Sequence, residues 1–411
     1  MRALLLSGLV GLAALTLRAQ PKPQSFTLPN GLRVIHLEDH EHALVRAHLY
    51  LKVDPDDLPR DRPGLQLLAL QMVEHSDAAN LKTDTLNQLL EEAGIRLSAT
   101  AGADGLTWRM VARSRDQDQA FGLLADRLLR PLFDPSVLET QRLDCWRQEE
   151  RQEEEAPVRL RRALLQAPGT RPTLASLSAI TWEDLLRFRA QVFRPDQAVL
   201  VLHGDLGLEQ AKRLVLLTLG SWTPPEAQPR PEATSPSIPL PSPGSPRLPG
   251  LPGSGLRILA VAPPPPDVPR ECAALIRLLL AGHAGIHPVR IETEQGSLVA
   301  ILDSEAGSSS SQVWPLLLER LESLRRRGFT TADLDRARTA WTVGRSRVSL
   351  HPEAQMDRAL ADLLHPALTQ ERLAEVSLER LNADLRRWLD PANLRMGAAG
   401  PPALLNGLPT P

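Results

Sequence analysis

The sequence predicts an α+β molecule: two tandem homologous modules, each a mainly antiparallel sheet covered by helices, joined by a Pro-rich linker. Three observations carry this. Phe133 and Phe329 stand 196 positions apart, as do Leu138 and Leu334, Arg142 and Arg338, Pro195 and Pro391, and Gly204 and Gly400. The stretches around them read alike, FDPSVLETQR beside FTTADLDRAR and FRPDQAVLVLHGD beside LDPANLRMGAAGP, so any site in one copy has a counterpart position in the other. At 411 residues the chain is also too long for one ordinary core. Finally, between Thr223 and Gly255 the composition turns abruptly to proline, serine and glycine, as in SPSIPLPSPGSPRLPGLPGSG, which reads as a stiff extended spacer. The expected division is residues 1–19 as a leader, 20–222 as the first module, 223–255 as the linker and 256–411 as the second module.

Each element has its own justification. In the leader, Arg2 supplies a positive start, Ala3 to Leu17 is an apolar run too short to span a membrane comfortably, and Ala19 suits a cleavage site. No Cys follows, so a lipid anchor is not indicated, and the mature chain is expected in the periplasm or secreted, with no membrane span left. The segment SFTLPNGLRVIHLED is a hairpin whose turn pair, Asn30 and Gly31, tolerates positive φ. Ala43 to Val53 is a strand of mixed polarity. Gly64 to His75 is a mostly apolar helix, and Thr83 to Ala93 places Leu86, Leu89 and Leu90 on one face, with Gly94 to stop it. Two strands flank a turn at Ala103, Asp104 and Gly105. Helices follow at Asp116 to Arg130, Pro135 to Glu155 and Thr181 to Val192, then the strand Ala198 to Leu202 and the helix Leu208 to Leu219. The second module opens on the strand Leu256 to Ala262, continues through helices at Val268 to Ala281, Ser311 to Arg327 and Thr331 to Val343, and closes on the helix Leu378 to Leu389 and the strand Leu394 to Ala399.

Composition excludes some functions. A net charge of −2 with 23% charged residues leaves no basic stripe, so nucleic acid is not an expected partner. With seven Trp, one Tyr and six Phe, the cores must be aliphatic. The two cysteines, Cys145 and Cys272, fall one in each module within helical apolar patterns, and they read as buried free thiols despite the oxidising compartment that export implies. His40 and His42 flank Glu41 in an early loop, and His283 and His287 lie four apart between glycines. Both pairs read as ordinary surface histidines. No Ser/His/Asp order, Gly-rich phosphate loop or paired CxxC is present.

The order of TLPNGLRVI, a Gly-Leu helix, FDPSVLETQR with an acidic helix, and FRPDQAVLVLHGD resembles the insulinase/pitrilysin family of zinc metallopeptidases. The resemblance implies an inverted motif, His-x-x-Glu-His, on the first long helix. There two imidazoles one turn apart would bind zinc, the Glu between them would activate water, and a Glu on a later helix would complete the site. In register from Gly64 and Leu65, the three motif positions are Leu67, Leu70 and Gln71, none of which can do that chemistry. A reading shifted by four uses Gln71, Glu74 and His75, and the later glutamate falls on Glu149 in the run RQEERQEEE. The family also implies an Arg and a Tyr from the second module that stabilise the reacting carbonyl. Their positions fall on Glu292 and Val299 in VRIETEQGSLVAIL, with Arg290 two residues away.

The sequence therefore assigns no catalytic, cofactor-binding or metal residue. It describes a catalytically degenerate, non-catalytic insulinase-family subunit that pairs with an active zinc-peptidase homologue, forms a homodimer, or acts as a peptide-binding scaffold. The alternative is an unusual zinc metalloendopeptidase using Gln71, Glu74, His75 and Glu149, the one reading in which zinc is a cofactor.

Overall fold

The computed structural model describes residues 23–405 except 55–57, 59–61, 103–104, 130, 153–155, 166–171, 224–246, 250–255, 282–287, 295, 305–309, 349–350 and 365–367. The leader at 1–19, most of the spacer, the turn at Ala103 and Asp104, and His283 and His287 fall outside the described residues. Within them, no helix is long and apolar enough to cross a membrane.

The first sheet contains β1 (Gln24–Thr27), β2 (Arg33–Glu38), β3 (Leu44–Lys52), β4 (Arg96–Ala101), β5 (Gly105–Arg113) and β6 (Ala198–Gly204), in the order β1-β2-β6-β3-β5-β4. Only β2 and β6 run parallel. The predicted hairpin turn forms at Asn30 and Gly31, with Gly31 at φ 92°. The Asn30 amide Nδ2 donates to the carbonyls of Leu219 (2.9 Å) and Trp222 (3.0 Å), tying the hairpin to the far end of the module. Alternation sorts the faces of β3: Val45, Ala47, Leu49 and Leu51 enter the core, leaving Arg46, His48 and Tyr50 on the outer side. Helices α1 (Leu65–His75), α2 (Thr83–Glu92), α3 (Gln117–Leu129), α4 (Leu138–Gln152), α6 (Leu174–Ala179), α7 (Trp182–Val192) and α8 (Leu208–Leu219) belong to this core, with Trp108, Phe121 and Phe188 fully buried in it.

The second sheet repeats the plan. It contains β7 (Arg247–Pro249), β8 (Leu256–Ala262), β9 (Arg290–Glu294), β10 (Ser297–Ser304) and β11 (Arg395–Gly400), in the order β7-β11-β8-β10-β9. That order matches β2-β6-β3-β5-β4, including a parallel pair, here β7 with β11. Helices α9 (Arg270–Ala281), α10 (Ser310–Arg327), α11 (Thr331–Val348), α13 (Gln370–Ala374) and α14 (Leu378–Trp388) supply the matching core. One expectation is corrected here: Arg247–Pro249 lie in the stretch read as a spacer, yet they pair with Ala398, Ala399 and Gly400 as an edge strand.

The repeat also produces an exchange that no local pattern announces. Helix α5 (Ala156–Leu165) and helix α12 (Pro352–Leu364) occupy equivalent places, so that Leu160 and Met356 are again 196 positions apart. Each crosses to the other module. Leu160 and Leu164 of α5 pack on Leu259, Val261, Val299, Ile301 and Ala399 of the second sheet. Met356, Leu360 and Leu364 of α12 pack on Ile35, Leu37, Val199 and Val201 of the first. The outer face of each sheet thus carries a second apolar patch, which explains why every residue of β6 is buried. Removing those patches from water stabilises the paired arrangement at about 25 cal/mol per Å² of apolar surface covered.

Candidate functional site

Helix α1 starts at Gly64, whose φ of 100° and contacts leave no room for a side chain: a Cβ there would lie 2.8 Å from Leu177. This start sets which residues the helix presents. Leu70 is buried in the core and Leu67 packs against it, so two of the three in-register positions are apolar packing residues. Gln71 and Glu74 are half-buried and His75 is exposed.

The shifted set is committed elsewhere. The indole Nε1–H of fully buried Trp108 donates to Glu74 Oε1 at 2.9 Å, so this carboxylate satisfies a core donor that would otherwise be stranded. The Glu74 carbonyl accepts from Arg127, whose other amino group donates to Asn87 Oδ1 at 2.6 Å. Burial holds the Arg127 guanidinium below its ordinary pKa, opposed by the charge of Glu74. His75 turns its Nδ1–H back to the Gln71 carbonyl at 3.0 Å, along its own helix. On α4, Glu149 lies on the same face as buried Cys145 and accepts from Arg162 of α5 at 2.7 Å. These residues do not fit a zinc ion: one donor is a neutral amide, one carboxylate serves Trp108, one serves Arg162, and the imidazole is bound to backbone. Among the described residues no group of three His, Cys, Asp or Glu is placed to hold a metal.

The second-module positions are closed by the chain itself. Glu292 and Val299 face each other across β9 and β10. Val299 is fully buried against Leu160 and Leu164 of α5. Arg161, on the same helix, pairs with both Glu292 and Glu294, and Arg290 Nε donates to Glu292 at 2.9 Å. The Arg161 hydrogen bond holds Glu292 below the usual carboxylate pKa, so the side chain stays anionic where a cation would be needed to meet an oxyanion. Arg290 does share the face of Glu292, and it is spent on that carboxylate. In the early loop, His40 lies between Asp205 (2.6 Å) and Glu38 (2.9 Å), whose hydrogen bonds raise its pKa, in that order of effect. His42 is simply exposed.

Two features escaped sequence reasoning. The first is a polar seam beneath α12: His48 Nε2 lies 2.6 Å from Glu353, its Nδ1 lies 3.3 Å from Asp357, and Arg46 and Arg109 stand 3.7 and 3.8 Å from the same two carboxylates. The second is the outer edge of β4, which among the described residues pairs with β5 alone and leaves Arg96, Ser98 and Thr100 exposed on the outer face. Spacing along the chain signals neither, since both depend on strands and helices far apart in sequence.

Family models match contiguous segments of this architecture: one described as Insulinase (Peptidase family M16) matches residues 59–178, and one described as Peptidase M16 inactive domain matches residues 179–283. The chain belongs to the insulinase family. No curated protein sequence matches it. Solved structures share the insulinase-family fold over almost the whole chain. A protease from Helicobacter pylori superposes with a TM-score of 0.77 at 14% identity, covering 93% of this chain and 100% of that one. An M16-like peptidase from Alicyclobacillus acidocaldarius gives 0.74 at 16% identity, covering 92% and 98%. The periplasmic protease PqqL from Escherichia coli gives 0.67 at 15% identity, where the match covers 93% of this chain and 46% of that one. An insulinase-family fold is thus retained here around a first helix whose in-register motif positions are Leu67, Leu70 and Gln71.

Proposed function

We propose that this chain is a non-catalytic insulinase-family subunit, periplasmic or secreted, that holds extended peptides and works beside a zinc-bearing homologue or as a homodimer. The observation that carries the proposal is the state of α1. Of the in-register positions, Leu70 is in the core, Leu67 packs against it and Gln71 is a neutral amide, while Glu74, the one carboxylate of α1, satisfies the indole of Trp108. A general base must be free to take a proton from water, and this one is committed to a buried donor.

The peptide-holding part rests on β4. Over Arg96–Ala101 its outer edge pairs with no further strand among the described residues, the arrangement to which an extended segment adds as a further strand. The export part rests on the leader at residues 1–19. The test uses one preparation of the full chain, assayed for bound zinc, for cleavage of unstructured peptides and for their retention, alone and mixed with an active homologue from the same cell. The expected result is retention without cleavage by the chain alone, and altered cleavage in the mixture. One zinc per chain together with cleavage by the chain alone would overturn the proposal.

A further inference from the structure

We infer that the occupant of β4 is an acidic extended segment, one with Asp or Glu at alternate positions facing Arg96 and Arg109. The inference rests on the reading of this chain as a peptide-holding subunit and names the chemistry of what is held.

The sequence of the three strands at this edge is one-sided. No Asp or Glu occurs in β3, β4 or β5, whereas they carry Arg46, Lys52, Arg96, Arg109 and Arg113. The ladder places these cations on one face. Arg96 is opposite Val111, which is opposite Arg46, and in the next row Ser98 is opposite Arg109, which is opposite His48. Since alternate residues share a face, all five cations stand on the outer side, away from the core.

The neutralising charges are unevenly spread. Carboxylates of α12 answer the inner part of this face, where Glu353 and Asp357 meet His48 and Arg46. Arg113 is answered by Asp116 at 2.6 Å. Toward the free edge the supply runs out. Arg96 and Lys52 are exposed and make no ion pair among the described residues, and Arg109 has only Asp357 at 3.8 Å. The Arg109 guanidinium also lies over β4 itself, with Nη1 donating to Thr100 Oγ1 at 3.4 Å. A strand added to β4 would put its outward side chains about 5 Å from those of β4, within reach of both arginines.

The equivalent edge of the second sheet provides the contrast. At β9, Arg290 of the strand and Arg161 of α5 are matched by Glu292 and Glu294, so that edge carries no excess charge. The same fold position is therefore neutral in one module and cationic in the other, and a carboxylate-bearing segment is selected by β4 alone.

The test is fluorescence anisotropy on the full chain with three labelled peptides of one strand-favouring sequence, carrying Glu, Gln or Lys at alternate positions. Exposed pairs contribute little individually, so two or three of them give about a tenfold preference for the Glu peptide over the Gln peptide. That preference is expected to shrink at high salt and to reverse in Arg96→Glu, while Arg290→Glu on β9 leaves it intact. Equal binding of the three peptides would overturn this inference and leave the peptide-holding reading standing. Failure of all three to bind would overturn both. Concentration-dependent self-association that Arg96→Glu abolishes, without peptide binding, would assign the edge to a second copy of the chain and overturn the inference as well.

Discussion

Replacing Glu74 separates a structural carboxylate from a catalytic one. In the structure its Oε1 is the acceptor for the Trp108 indole N–H, 2.9 Å away in a fully buried setting. Glu74→Leu strands that donor, and an unsatisfied buried N–H costs about 1–3 kcal/mol. Glu74→Gln keeps an amide oxygen in the same place and is expected to cost less than about 1 kcal/mol. Trp108→Phe removes the donor, so on that background Glu74→Leu should lose most of its penalty. The resulting coupling of about 1 kcal/mol would be the signature of the pair. The assay is urea unfolding followed by circular dichroism for the single and double variants, with peptide cleavage measured on the same samples. If Glu74→Gln eliminates a measurable cleavage activity while leaving the unfolding midpoint unchanged, Glu74 is acting as a base and the structural assignment fails.

The exchanged helices make both modules depend on each other: Leu160→Ala and Met356→Ala, at equivalent buried positions, should each cost about 2–5 kcal/mol and shift one shared transition. Two separate calorimetric transitions, only one of them moved by Leu160→Ala, would contradict this. Burial lowers the pKa values of His36 and His203, so the fold favours their neutral forms; the stability this provides is present above the ordinary histidine pKa and is lost as pH falls through it toward the lowered values. Acidification from about pH 7.5 to 5.5 should therefore reduce stability, and His203→Asn should flatten that loss; an unchanged slope in the variant would remove His203 from the account. His40 acts in the opposite sense, because Asp205 and then Glu38 raise its pKa, but it is largely exposed and its effect is small. Cys145 and Cys272 are buried free thiols with pKa values pushed up to about 12 by burial, so neither should react with a thiol reagent in the native protein near pH 8, and both should react in denaturant.

Much of the fold within each module was legible because its signals are local. Helix α8 has the predicted bounds Leu208–Leu219, its apolar positions recurring at helical spacing behind Gly207. The absence of imidazoles from the in-register positions was legible too, since it needs only the identities of Leu67, Leu70 and Gln71. Helices α5 and α12 were not. In VRLRRALL, Leu160 and Leu164 are scattered among three arginines, and Pro157 and the acidic run before it read as the end of a helix. Their apolar surface has no counterpart nearby in sequence because the patch that buries it belongs to the other module. The role of Glu74 was hidden for the same reason, its donor lying 34 residues away on β5. The cationic edge of β4 is a property of ladder register, which becomes visible only once β3, β4 and β5 are side by side.

What the duplication kept, and what it let diverge, explains why the helices cross over. The repeated arginines do the same work in both copies: Arg142 donates to the carbonyl of Ile180 and Arg338 to that of Val376 at 3.0 Å, carbonyls that are themselves 196 positions apart. The seams beneath the exchanged helices have instead reversed polarity. Arg161 of α5 meets Glu292 and Glu294 of the second sheet, while its equivalent on α12 is Asp357, which meets His48 and Arg109 of the first. Were α5 to lie on its own sheet, Arg161 would face His48 and Arg109. Were α12 to lie on its own, Asp357 would face Glu292 and Glu294. Like charges brought together at these partly exposed seams disfavour both arrangements modestly, whereas the apolar rows formed by Leu160 and Leu164, and by Met356 and Leu360, are similar enough to fit either sheet. The leucines and the methionine supply the adhesion, and the charges add a bias toward the crossed arrangement. Charge reversal between the two copies thus makes the two helix seats inequivalent and favours the crossed pairing.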